Sequence, residues 1–129
     1  MSEWTPAGTP VDEVTGKKII LRIPDGVGRG LIYDPAVVRH TPPQLALVTA
    51  MRGLDHAMNT VLSTGPIKLC TVLALEAVKH YSTAIPLLAK GELDTALPML
   101  QRGSLLGGTC QMSVPHGFSH FIVHVLAAR

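Results

Sequence analysis

The chain has 129 residues, the size of one ordinary domain. It is 47% apolar and 16% charged, with a formal charge of +2 and a mean hydropathy of +0.31. Soluble domains average about 25% charged residues, so this one expects a membrane or another protein surface to cover it. No stretch reaches the roughly 18 to 20 uninterrupted apolar residues of a spanning helix. Lys and Arg are dispersed rather than clustered, which argues against a nucleic-acid partner. "MSEWTPAGTP" has neither the basic start nor the apolar core of a signal peptide, so the expected location is cytoplasmic, with no membrane partner.

In chain order, "VDEVTGKKIILRI" reads as two short strands around Thr15-Gly16, and "RGLIYDP" as a third strand stopped by Asp34-Pro35. "TPPQ" reads as a helix start with Thr41 as N-cap, Pro42 in the first turn and Gln44 completing a capping box. Leu47, Met51, Leu54, Met58 and Leu62 then recur at spacings of three and four, the stripe of a buried helix face that ends near Gly65-Pro66. A second helix, apolar nearly all round, is expected from Pro66 to Tyr81. Pro86 is expected to open a short helix closed by Lys90-Gly91.

A fourth helix spans Glu92 to Gln111, where Gly103, Gly107 and Gly108 suit close packing against another backbone. A fifth starts near Pro115 and still has helical periodicity at Arg129, as though cut off. The fold class is therefore mainly α, a short β element followed by about five helices. "DGVGRG" precedes a strand instead of joining a strand to a helix, so it fails as a dinucleotide-binding turn. Cys70 and Cys110 read as small buried hydrophobes.

Four-residue spacing puts His116, His120 and His124 on one helix face, a geometry that suits zinc, iron or plain packing. His56 lies on the first long helix, one turn after Arg52 and about 100° round from Asp55. A guanidinium stays protonated and repels a cation, so the natural partner of Arg52 is a carboxylate.

Four pieces, "EWTPAGTPVDEVTGKK", "GLIYDPAVVRHTPPQLALVTAMRGLDHAMN", "ALEAVKHYSTAIPLLAKG" and "SVPHGFSHFIVHVLAA", together resemble the iron-containing alcohol dehydrogenase family, and its maleylacetate reductase-like branch above all. They cover nearly the whole chain in the family's order. The resemblance implies an oxidoreductase that moves hydride between NAD or NADP and a small carbonyl or alcohol substrate. It implies that residues 1–40 are a remnant of an α/β nucleotide-binding domain and 41–129 an incomplete all-helical domain, a truncated middle portion with impaired activity. The pyrophosphate-binding turn would precede Met1, and the family's last ligand histidine would follow Arg129.

Carried over position by position, the family's Asp-x-x-x-His ligand pair falls on Arg52 and His56, with arginine where aspartate is usual. The next ligand histidine falls on His120, and a functional histidine on His124. The implied catalytic group is Arg52, His56, His120 and His124; Thr5 and Thr9 are implied near the cofactor. Any retained iron or zinc would rest on His56 and His120, and Arg52 argues against it. His116 matches no family position. A homo-oligomer through exposed apolar helices is expected, and two other readings stay open: a helical binding module that completes a partner through its exposed apolar face, and a metal-binding helical protein using His56, His120 and His124.

Overall fold

The computed structural model describes residues 6–8, 10–19, 21–23, 28, 30–65, 67–111, 113–115, 117, 119 and 122. Among them the protein is mostly helical, with one small antiparallel hairpin. Strand β1 (Ala7–Gly8) pairs with β2 (Leu21–Arg22) in the register Ala7 to Arg22 and Gly8 to Leu21, and Val11 bridges Lys18 further along. The Asp12 carboxylate accepts from the backbone N–H groups of Val14 (2.8 Å) and Thr15 (3.2 Å), and Gly16 takes a positive φ of 67°. Those N–H groups hold the Asp12 carboxyl below the usual carboxylate range. The turn expected at Thr15-Gly16 is present.

The expected third strand is not. Residues 30–34 pair with no strand, and Ile32 is 96% exposed. Asp34 instead caps helix α1 (Pro35–Val38), accepting from the Ala36 N–H at 2.8 Å, with Pro35 in the first turn. Asp-Pro here starts a helical turn, the arrangement both side chains favour.

Helix α2 (Pro43–Leu62) begins one residue later than a Thr41 cap requires. Pro42 occupies the cap position with ψ 136° and makes no side-chain cap bond. The residue before a proline is pushed out of the helical region, so Pro43 keeps Pro42 extended. The helix stops at Ser63, which is extended, and Gly65 turns the chain with φ 93°.

Helix α3 (Lys68–Ala89) continues through Tyr81 and carries Pro86 inside it, so the expected separate helix opened by Pro86 does not exist. Pro86 lies in the last turn on the exposed side, where the carbonyl it leaves without an N–H faces water. The close at Lys90-Gly91 is as expected: Gly91 has φ 80°, its N–H donates to Leu88 O, and the Glu92 N–H donates to Leu87 O. This double closure satisfies the last carbonyls of α3. Helix α4 (Leu93–Gln111) then runs back along α3, and Arg39 after α1 pairs with Asp94 in its first turn. Ser119 and Ile122 are helical, but most of the expected fifth helix lies outside the described residues.

The core is built from small residues. Ala50, Leu88, Ala96 and Leu97 form one cluster, and Ala57, Ala77 and Tyr81 a second. Tyr81, 3% exposed, is held between two helical glycines. A Cβ on Gly53 of α2 would stand 2.4 Å from its hydroxyl oxygen, and one on Gly103 of α4 would stand 3.1 Å from its ring. Gly103 therefore accommodates a side chain, where the sequence suggested a close backbone; Gly107 and Gly108 are buried as well.

The stripe predicted to be buried on α2 is only partly so: Leu47 and Leu54 are half-buried and pack against the two core clusters. Met51, Met58 and Leu62 are exposed, while Ala50, Gly53, His56, Ala57 and Thr60 are buried. Helix α3, apolar nearly all round, leaves Leu69, Val72 and Leu75 exposed and buries Cys70, Ala74, Ala77, Tyr81, Ala84 and Leu88.

Candidate functional site

Helix α2 carries the described residues of the candidate site. Arg52 and His56 are one turn apart and share a side of the helix, whereas Asp55 is displaced about 100° from His56. His56 is buried, and Arg52, Asp55 and Asn59 are half-buried. Thr60, one turn further on, donates its hydroxyl to the His56 carbonyl at 3.1 Å.

Asn59 extends this platform. Its Nδ2 donates to Pro115 O at 3.3 Å, and Gly117 lies so close that a Cβ there would overlap the Asn59 amide. The segment that leads into "HGFSHFIVH" is thus laid across α2, less than one turn from His56. The sequence offered no signal for this role of Asn59, because a single amide on a helix has no spacing pattern to read. Gly53 and Tyr81 were likewise not singled out, although a glycine inside a long helix is a recognisable mark of close approach.

Thr5, Thr9, His116, His120 and His124 lie outside the described residues. The structure therefore positions Arg52 and His56 of the predicted set. Among the described residues no three His, Cys, Asp or Glu side chains gather as a metal-holding group.

Two shallow concavities lie elsewhere. One, of about 230 Å³, is lined by Arg39, His40, Pro42, Ala46, Leu88 and Leu97. The other, of about 240 Å³, is lined by Tyr33, Pro35, Pro98, Gln101, Arg102 and Leu105. Neither includes Arg52 or His56. Apart from them, Cys70 in α3 and Cys110 in α4 are both buried, and neither is in a disulfide. Burial, reinforced by the neighbouring Cys70, pushes the Cys110 thiol up to about 12. No helix among the described residues is long and apolar enough to cross a membrane.

No family model matches the chain. A curated relative, maleylacetate reductase 2 of Cupriavidus pinatubonensis (strain JMP 134), is 28% identical over 131 residues, an alignment covering 99% of this chain and 35% of that protein. A provisionally assigned alcohol dehydrogenase from Ralstonia eutropha JMP134 superposes with a TM-score of 0.85 at 26% identity, over 98% of this chain and 36% of that one. Sulfoacetaldehyde reductase from Bifidobacterium kashiwanohense, solved in complex with NAD+, superposes with a TM-score of 0.68 at 24% identity, over 85% of this chain and 30% of that one. The chain thus spans about a third of the length of the proteins it matches.

The homologues and structural neighbours of this chain are a maleylacetate reductase and alcohol dehydrogenase-type proteins of the iron-containing alcohol dehydrogenase family, as the four sequence pieces indicated. Its helices match part of that fold.

Proposed function

We propose that this chain carries one wall of the active site of an NAD(P)-dependent reductase that acts on a small carbonyl compound bearing a carboxylate, of the maleylacetate type. The observation that carries this reading is the arrangement on α2. A buried His56 stands one turn from Arg52, and Asn59 fastens the approach to the His120 segment beside them. In this reading the Arg52 guanidinium grips the substrate carboxylate through paired N–H donors, which fixes where the carbonyl carbon lies. His56, with His120 and His124, donates hydrogen bonds or a proton to the oxygen that gains negative charge as the carbonyl is reduced. When bound, the nicotinamide cofactor supplies the hydride, and Thr5 and Thr9 would contact it. Residues 1–40 then belong to the nucleotide-binding part and 41–129 to the helical part, in a protein of the cytoplasm.

The test is NADH oxidation by purified protein with maleylacetate and with an uncharged aldehyde, together with NADH binding followed by fluorescence. Arg52→Ala should raise KM for the carboxylate substrate at least tenfold and leave the uncharged aldehyde unaffected. His56→Asn should lower kcat for both. Failure to bind NADH at millimolar concentration, or equal effects of Arg52→Ala on both substrates, would overturn the proposal.

A second reading, a helical interaction module without catalysis, is favoured by the exposed apolar side chains of α2 and α3. Leu62, Ile67, Leu69 and Val72 are between 62 and 76% exposed. Isolated apolar residues on a surface are ordinary, but a run of them on neighbouring helices marks a face that associates. Concentration-dependent self-association combined with no NADH binding would favour this reading over the first.

A further inference from the structure

Asn59 and Gly117 make a close fit between α2 and the segment that follows α4. The Asn59 Nδ2 donates to Pro115 O at 3.3 Å, and the three atoms nearest to a Cβ placed on Gly117 are the Oδ1, Cγ and Nδ2 of that same amide. Glycine is not required at 117 for backbone freedom, since Gly117 lacks the positive φ of Gly16, Gly65 and Gly91. It is required because a side chain there would overlap the Asn59 amide. Arg52, His56 and Asn59 follow one another at spacings of four and three, so the fit lies on the side of α2 that carries the candidate site. His120 comes three residues after Gly117, and three residues of chain reach at most about 11 Å.

We infer that Asn59, seated on Gly117, is a positioning residue: it latches the segment around Pro115 and Gly117 to α2 and so sets how the chain bearing His120 stands relative to His56. The inference rests on the reduction proposed above, in which groups from both elements act on one carbonyl oxygen. A single amide-to-carbonyl hydrogen bond at the edge of solvent holds a segment weakly. The steric fit adds register, because the segment slides along α2 only if the amide leaves the space over Gly117. Register matters to rate, since a displacement of about 1 Å in a catalytic group costs on the order of a hundredfold. Arg52 belongs to α2 itself, so its grip on a substrate carboxylate does not depend on the latch. Loss of the latch therefore acts on kcat and spares KM, the reverse of Arg52→Ala.

Two measurements on the full chain test this. The first needs no activity: thermal midpoints of the wild type, Gly117→Ala, Asn59→Ala and the double variant form a cycle that isolates the contact. Gly117→Ala should lower the midpoint by several degrees in the wild type, and by less than half as much once Asn59→Ala has emptied the space. Equal losses in the two backgrounds would overturn the latch. The second is the steady-state reduction of maleylacetate by Asn59→Asp and Asn59→Ala. Aspartate keeps the shape of asparagine and turns an oxygen, in place of the N–H donor, toward Pro115 O. For both variants kcat should fall at least tenfold while KM changes less than twofold. It is counted per NADH-binding site, so a protein that is merely less folded keeps its value. An unchanged kcat per site, or a matching rise in KM, would overturn the positioning role. A wild type that binds no NADH would sink the reductase reading and the catalytic role of Asn59 with it, whereas the midpoint cycle decides the latch in either case.

Discussion

The inward side of α2 carries Ala50, Gly53, His56, Ala57 and Thr60, whereas its outward side carries Val48, Met51, Met58 and Leu62, each between 46 and 76% exposed. Both sides are largely apolar, and most of the larger residues are outside, with Leu47 and Leu54 half-buried at the edge of the core. Hydrophobicity alone would bury the methionines and leucines, since each gains more from leaving water than an alanine does. Close approach of α3 selects the other side, because Tyr81 fills the space between α2 and α4 and leaves no room for more than a hydrogen at Gly53. Here steric fit determines which face is internal, and the larger apolar face is left available for contact.

That contrast is broken most directly at Gly53. Gly53→Ala puts a Cβ 2.4 Å from the Tyr81 hydroxyl oxygen, an overlap with the rigid end of a buried ring. We expect a loss of roughly 1–3 kcal/mol in urea unfolding, typical of overpacking. Helix propensity alone predicts the opposite sign, a gain of about 1 kcal/mol. A more stable Gly53→Ala protein would show that α2 and α3 do not meet through Tyr81. Gly103→Ala sharpens the same point, since its Cβ would stand 3.1 Å from the ring and a small shift relieves it. Its cost should be clearly below that of Gly53→Ala.

The inward face also has a pH signature at Cys110. Its thiol, raised by burial from 9.0 to about 12, keeps its proton in the folded chain and releases it on unfolding at lower pH. Below pH 9.0 both states hold the proton and its contribution to stability is fully present. As pH rises through the window from 9.0 to about 12 the unfolded state alone ionises, and that contribution is lost. Thermal midpoints measured across this range should fall more steeply for the reduced wild type than for Cys110→Ser. The slope is the readout, so a constant loss from the substitution itself does not interfere. Parallel slopes would mean that Cys110 reaches water.

The helices and the hairpin were legible in the sequence because their signals are local. Apolar residues recur along 43–62, Gly91 follows Lys90, and Asp12 to Gly16 has turn chemistry. The errors came from neighbours acting on those signals. Pro43 removed Thr41 as a cap by keeping Pro42 extended, and Asp34 capped a helical turn instead of ending a strand. Helix α3 absorbed Pro86 in its exposed last turn. Of the stripe on α2 only Leu47 and Leu54 reach the core, because periodicity identifies a stripe and packing chooses among stripes. Arg52 and His56 lie one turn apart on α2, as their spacing predicts, and their roles rest on the resemblance. The contact of Asn59 with Pro115 was not legible, since it joins residues 56 positions apart.

Smaller effects should come from the outward face. Met51→Gln and Leu62→Gln remove exposed apolar surface without touching the core, so each should change unfolding stability by less than about 0.5 kcal/mol. The same substitutions should reduce self-association in sedimentation velocity if that face associates. A loss of stability comparable to Gly53→Ala would instead show that these side chains are internal, and the two faces of α2 would have to be exchanged.

The smallest effect belongs to the outer side of α3, where Lys79 donates to the Glu76 carboxylate at 2.8 Å and both side chains are largely exposed. The hydrogen bond and charge of Lys79 hold the Glu76 carboxyl below its usual range. Its contribution is therefore present above the ordinary glutamate value and is lost as pH falls through the lowered one. Solvent screens such a pair, and side-chain entropy offsets much of the attraction. Glu76→Gln should leave the thermal midpoint at neutral pH nearly unchanged, with any difference vanishing in high salt. A large, salt-resistant loss would place the pair in a dry setting, which would mean that something covers this side of α3 in solution.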